Sequence, residues 1–345
     1  MPRSAPTSAI LLEMWSFLKQ QMADRDQDHV RVYRRLELEP ESGLRLGVCS
    51  PGNVLELLVE LDTTVDGQSF SPPRWRGMKF ETIVLDIPDE NKPHIRLCLE
   101  HHEYRPVFAS VCSDIARTLL AVDTPQNRTR ELQGCVDRWS RFFQRHGLEG
   151  LSQEAQQGLF GELTWLELVL SEGMNPLSAI ESWRGCRRGY HDFENGSRVV
   201  EVKTTMTKEP RSVRISNERQ LDDRGLDSLH LFVLTLHRVN SGGVSLPGLI
   251  GSIRDGLSGH VSALSSLEKG LKEAGYLDAQ GHIYTSGYIR RKQEAFRIEE
   301  GFPRIVDVPG GVGGLSYTLT VSACSAFEVA VTEALGEFIG GENNR

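Results

Sequence analysis

Apolar and polar positions along this 345-residue chain change their rhythm twice. Near the start, AILLEMWSFLKQQM (9–22) spaces its apolar residues along one face of a short helix. From Val30 to about Ala109 the runs become short or alternating: RVYRRLEL, LRLGVC, VLELLVEL, FETIVLDI, IRLCLE and VFASV, punctuated by Pro, Gly, Asp and Asn. That rhythm predicts a mostly antiparallel β domain, closed by a helix over Asp114–Val122. Asp123-Thr124-Pro125-Gln126-Asn127 then breaks the chain before a helix near Arg128–His146.

The second half mixes periods. SQEAQQGLFGELTWLELVLSE (152–172) predicts a long helix capped by Ser152, with Glu154 suited to its positive end. Short strands are expected at 190–194, 198–205 and 211–215, a polar helical turn at 217–224 and an apolar strand at Leu229–Leu236. Beyond them the spacing predicts a helix around Leu246–Glu273, two strands within 281–298, a strand near Leu315–Ser322 and a helix over Ala326–Ile339.

One stretch carries chemistry. Between Tyr190 and Thr204, Asn195-Gly196 joins two extended runs, a hairpin signal because a type I′ turn needs positive φ at both central positions. With those two residues as the loop, Glu194 pairs with Ser197, Phe193 with Arg198 and Asp192 with Val199. Side chains alternate along a strand, so Asp192, Val199, Glu201 and Lys203 share one face and Val200 and Val202 the other. Asp192 and Glu201 become diagonal neighbours, roughly 7–8 Å apart at their origins, close enough to reach one cation. A hard divalent ion such as Mg²⁺ needs only one or two carboxylates, with water and phosphate completing its shell. Lys203 could then orient a water or neutralise charge on the phosphate. A V-E-V-K alternation alone is what any half-exposed edge strand shows; the aspartate on the matching face is what adds to it. On the helix, Glu162 lies at the edge of the Leu159, Leu163, Leu166, Leu170 stripe, where a core-directed carboxylate calls for a partner.

Composition sets bounds on this reading. The chain is 39% hydrophobic and 25% charged, enough for a sizeable core, and no apolar run is long enough to cross a bilayer. The start lacks a basic leader, and the six cysteines (49, 98, 112, 135, 186, 324) are scattered, which argues for reduced thiols in a cytoplasm and against a zinc site. Net charge is −8, unlike a globally basic nucleic-acid binder. Between Trp183 and Arg214, however, eight basic residues (Arg184, Arg187, Arg188, Arg198, Lys203, Lys208, Arg211, Arg214) face four acids, a local surface suited to phosphate. Arg290-Arg291-Lys292 extends it.

Taken in order, Gly158-Leu159-Phe160-Gly161-Glu162-Leu163, Trp183-Arg184-Gly185, His191-Asp192-Phe193, Val200-Glu201-Val202-Lys203-Thr204 and Gln220-Leu221 resemble the PD-(D/E)XK nuclease superfamily. They look closest to a bacterial branch found beside methyltransferases and helicases in phage-defence gene clusters. The resemblance is specific over roughly 150–238. It implies an α/β fold (α+β overall) with an αβββαβ core at those positions, placed in a nuclease-like domain (124–345) with a C-terminal α/β extension, after an N-terminal β-rich domain (1–123). It further implies that Asp192, Glu201 and the Val202 carbonyl bind Mg²⁺ (or Mn²⁺ in its place), that Lys203 assists the water, and that Glu162 supports the metal. Gln220 matches a polar helix position that some branches place near the site. No proline precedes Asp192, a departure from the motif's name. The implied activity is Mg²⁺-dependent DNA endonuclease action in restriction or phage defence, with DNA, methyltransferase- or helicase-type proteins and a second copy of the chain as partners. Two alternatives stand beside it: a non-cleaving DNA-binding or scaffold subunit that keeps the fold, and an unrelated α+β protein whose edge strand mimics the motif.

Overall fold

A computed structural model describes residues 5–23, 31–36, 43–61, 70–85, 93–122, 127–187, 189–206 and 208–340. The chain forms two compact units, Met1–Gly150 and Leu151–Arg345.

In the first unit, helix α1 (Ser8–Ala23) precedes five strands: β1 (Arg31–Arg35), β2 (Leu44–Cys49), β3 (Val54–Glu60), β4 (Met78–Val84) and β5 (Pro93–Leu99). They make an antiparallel sheet in the order β1-β2-β3-β5-β4, as the alternating runs predict. VFASV, expected as a strand, instead lies inside helix α2 (Arg105–Leu120), which begins well before the helix expected at Asp114–Val122. Pro106 sits in the first turn of α2, where its missing N–H costs nothing. The helix buries Val107, Phe108, Ala109, Val111, Cys112, Ile115, Ala116 and Leu119, so broad an apolar face that a short run from it shows no clear period. Helix α3 (Arg128–His146) falls where expected but within the first unit, beyond the boundary expected at 123. Trp15 of α1 packs on Phe108 with centroids 5.2 Å apart.

The second unit opens with helix α4 (Gln153–Ser171), whose N-cap Ser152 accepts the Ala155 N–H as its sequence suggests. Short helix α5 (Pro176–Ser182) leads to β6 (Phe193–Asn195), β7 (Arg198–Thr205) and β8 (Ser212–Ile215). A single 3₁₀ turn over Glu218–Leu221 stands where a helical turn over 217–224 is expected, followed by β9 (Ser228–Val239). The remainder comprises β10 (Val244–Ser245), α6 (Leu246–Gly256), α7 (Val261–Glu273), β11 (Gly287–Arg297), β12 (Tyr317–Thr320), β13 (Glu328–Val329) and α8 (Val331–Ile339). The helix expected over Leu246–Glu273 is thus two, and the two strands expected within 281–298 are one strand preceded by a 3₁₀ segment at Asp278–Ile283.

The main sheet runs β10-β11-β9-β7-β6, with β13 on β11; β7 and β9 are parallel and the other pairs antiparallel. β8 pairs separately with β12. Phe160, Leu163, Trp165 and Leu166 of α4 join Val200, Val202, Phe232 and Leu234 in one core cluster. Val199, Leu229, Leu231 and Val233 point the other way, into a second cluster with Val213, Ile215 and Phe296. β7 is therefore sandwiched, and any charge on it must be accommodated inside the protein. Among the described residues, no helix is long and apolar enough to cross a membrane.

Candidate active site

The β6–β7 hairpin forms, but with another turn. Asn195 pairs with Arg198, Glu194 with Val199 and Phe193 with Val200, so the loop is Gly196-Ser197. Gly196 has φ of 65°, whereas Asn195 stays in the strand, the signature of a turn with glycine at its first central position. The reason is distant in sequence: Asn195 Nδ2 donates to the Phe338 carbonyl at 2.8 Å and the Ile339 carbonyl at 3.4 Å, at the end of α8. This differs from the expected register by two residues along the partner strand. A shift of two preserves side-chain parity, so Asp192 remains on the face of Glu201 and Lys203.

Asp192 lies just beyond the last paired residue of β6, where β7 has a free edge. Its Oδ2 accepts the Val202 N–H at 2.8 Å. In an extended strand the N–H and C=O of one residue face the same edge, so the Val202 carbonyl also points toward Asp192. The Asp192 carbonyl accepts the N–H groups of Arg184 (2.7 Å) and Gly185 (3.0 Å), which pins the aspartate from its other side.

Glu162 is brought in by α4. That helix approaches β7 closely at Gly161, where a Cβ would lie 2.3 Å from Thr204 Cγ2. Trp183 Nε1 donates to Glu162 Oε2 at 2.6 Å. Gly185 sits against both acids: a Cβ there would lie 2.7 Å from Glu162 Oε2 and 2.8 Å from Asp192 Oδ1. Lys203 Nζ bonds Glu201 Oε1 at 2.5 Å. Glu201 is fully buried, and its Oε2 has no hydrogen-bond partner among the described residues.

Three carboxylates in one partly enclosed space repel one another and lose water. Burial, reinforced by the charge of Asp192, raises the Glu162 pKa to about 8, against the opposing pull of Trp183 and Lys203. Burial likewise raises Asp192, opposed by Lys203 and the Val202 N–H. Glu201 is pushed well above the usual carboxylate range by burial and by Asp192. For Lys203, burial alone would lower the pKa, but Glu201 and Asp192 outweigh it and hold the ammonium charged. Excess buried negative charge with an orphaned oxygen fits a divalent cation. Among the described residues, no three or more His, Cys, Asp or Glu side chains form a metal cage by themselves. A hard ion held by two carboxylates, a carbonyl and water does not require one.

The other expected residues are placed as follows. Gln220 Oε1 accepts the Ser216 N–H at 2.8 Å, which commits that oxygen to its own loop. Arg184 stands beside the site, its Nε 3.9 Å from Glu194. Arg211 is drawn into an internal network with Glu294, with Glu209 at 2.8 Å and Thr235 at 3.0 Å; its guanidinium serves packing between strands. Arg198 lies against Gly340 at the turn end of the hairpin. Lys208 is exposed. Arg188 and the side chain of Arg187 lie outside the described residues. Arg290 pairs with Glu167 at 2.7 Å and Lys292 with Glu294 at 2.6 Å. Trp183 and Gly185 were legible only as parts of a resembling motif, since a tryptophan–carboxylate bond spanning 21 residues has no local signal.

An acid-bearing helix packed on a mixed sheet, with Glu-X-Lys on β7 and an aspartate just outside the neighbouring strand β6, resembles the arrangement expected of PD-(D/E)XK proteins. The chain belongs to the family described as "Putative PD-(D/E)XK family member, (DUF4420)", whose match covers residues 11–322. No curated protein and no solved structure matches the chain.

Proposed function

We propose that this chain is an Mg²⁺-dependent DNA endonuclease that hydrolyses phosphodiester bonds in restriction or anti-phage defence, with Mn²⁺ able to replace Mg²⁺. The observation that carries the reading is Glu201 Oε2, fully buried and, among the described residues, unpartnered beside Asp192 and an ion-paired Lys203. The Lys203 ion pair engages only Oε1; a cation would satisfy Oε2. Asp192 Oδ1, Glu201 Oε2 and the Val202 carbonyl would hold the ion, and Glu162 would support it or its waters. When bound, the ion polarises the phosphate and lowers the pKa of an attacking water.

The chain's own residues do the rest. Lys203, ion-paired with Glu201, would place its Nζ to orient the water or to offset negative charge gathering on the phosphate oxygens. Trp183 holds Glu162 in one orientation, and the Arg184 and Gly185 amides fix the backbone of Asp192. Arg184 and Lys208 supply positive charge for the DNA backbone.

Plasmid cleavage with Mg²⁺ and with EDTA tests the proposal. Wild type should cut only with the metal, and Lys203→Ala and Asp192→Ala should both abolish cutting. Activity surviving either substitution would overturn the site assignment. A wild-type chain that binds DNA and never cuts it, modified or unmodified, would instead favour a non-cleaving subunit.

A further inference from the structure

Two residues before Asp192, the chain exposes an aromatic ring where a folded protein normally hides one. Tyr190 is 59% exposed. The Arg219 guanidinium lies over its ring, 4.6 Å from the centroid. The pair is held in place: His191, between Tyr190 and Asp192, has Nε2 3.0 Å from the Arg219 carbonyl. The Arg219 N–H is in turn fixed by Asn217 Oδ1 at 2.9 Å. Among the described residues no carboxylate forms an ion pair with Arg219. An aromatic ring and a cation without an ion-pair partner among the described residues are thus presented together two residues before Asp192, on a backbone tied to the loop that follows β8.

Burial would be the ordinary use of a tyrosine, and pairing with acid the ordinary use of an arginine. Neither occurs. Arg219 lies over the ring, and the exposed area of Tyr190 is available to a planar group. In DNA the planar groups are bases, and in an intact duplex their faces are already stacked on neighbours, leaving only edges to be read. A stacking platform is useful only to an unpaired base.

We infer that Tyr190, backed by Arg219, stacks an unpaired base next to the phosphate to be cut, so that the favoured substrate is single-stranded or locally unpaired DNA. This rests on the endonuclease reading and adds the strand state of the substrate to it. Arg219 stiffens the ring from behind and brings positive charge toward the adjoining phosphate. Tyr190 touches substrate without taking part in the bond-breaking step.

The test uses the full-length Lys203→Ala chain, which should bind without cutting. Its affinity is measured for one DNA sequence as a single strand and as a duplex, each with 2-aminopurine at positions along the strand. The single strand should bind more tightly, and 2-aminopurine at one position should be quenched by stacking. Adding Tyr190→Ala should weaken single-strand binding roughly five- to a hundredfold, remove the quenching and leave duplex binding nearly unchanged. Tyr190→Phe should retain affinity and quenching, because the ring rather than the hydroxyl does the stacking. Equal binding of both DNA forms, or a Tyr190→Ala chain with unchanged affinity and quenching, overturns this inference while Mg²⁺-dependent cleavage by wild type still stands. A wild type without Mg²⁺-dependent cleavage of either form removes the endonuclease reading and this one with it. Tighter binding of single-stranded RNA than of single-stranded DNA would also overturn it.

Discussion

Glu201→Gln is the sharpest perturbation of the site, because activity and stability should move in opposite directions. Lys203 already fixes one oxygen of Glu201 at 2.5 Å, so the glutamine carbonyl should take that place. The new amide NH₂ then occupies the position of the orphaned Oε2 and can donate to the neighbouring acids. Replacing an unpartnered buried oxygen by a paired donor is worth about 1–3 kcal/mol. For a unit the length of Leu151–Arg345, each kcal/mol moves Tm by about 2–4 °C, so the rise should be roughly 2–12 °C in EDTA. The pH dependence follows from linkage. The Glu201 pKa is raised in the folded chain, so folding is favoured while the acid keeps its proton and loses stability as pH rises through the raised value. Glutamine mimics the protonated acid, and its advantage should therefore be larger at a pH above the raised value than at one below it. Mg²⁺ should raise the wild-type Tm by mass action and leave the variant unmoved and inactive. Thermal melts with EDTA or Mg²⁺ at both pH values check this. A lower Tm for the variant in EDTA, or a full Mg²⁺ response, would refute the claim that Glu201 is a stored cost awaiting a cation.

Gly185→Ala places a methyl 2.7 Å from Glu162 Oε2 and 2.8 Å from Asp192 Oδ1. Since Gly185 does not need positive φ, the fold should survive while displaced acids reduce Mg²⁺-dependent cleavage about a hundredfold; unchanged Mg²⁺ affinity by calorimetric titration would count against it. Asn195→Ala removes the bonds to the Phe338 and Ile339 carbonyls and should cost about 1–2 kcal/mol, read as a lower urea midpoint. An unshifted midpoint would show that α8 does not hold the hairpin.

Where local forces dominate, the sequence reveals the structure. Helix α4 announces itself through Ser152 and its apolar stripe, and β7 falls at the expected 198–205. Parity along a strand is also local, which is why Glu201 and Lys203 could be assigned to one face of β7. The turn could not. Asn-Gly favours one loop in isolation, and carbonyls more than 140 residues away favour another. α2 was obscured because a helix buried on most sides loses its period. Arg211 looked like a phosphate contact because its partner Glu294 lies 83 positions further on. Charge counted along a sequence cannot distinguish an arginine facing solvent from one neutralised across a sheet.

The latch between Asn195 and α8 also bears on when the site comes into being. A ribosome releases the hairpin that carries Asp192 long before it releases Phe338, 143 positions later. Until α8 docks, Asn-Gly is free to close the loop in its own preferred way, and the strand that presents the aspartate lacks its anchor. A half-made chain thus carries every residue of the site without the contact that sets their alignment. Completion of the acidic centre is thereby deferred to the docking of α8, the last helix among the described residues.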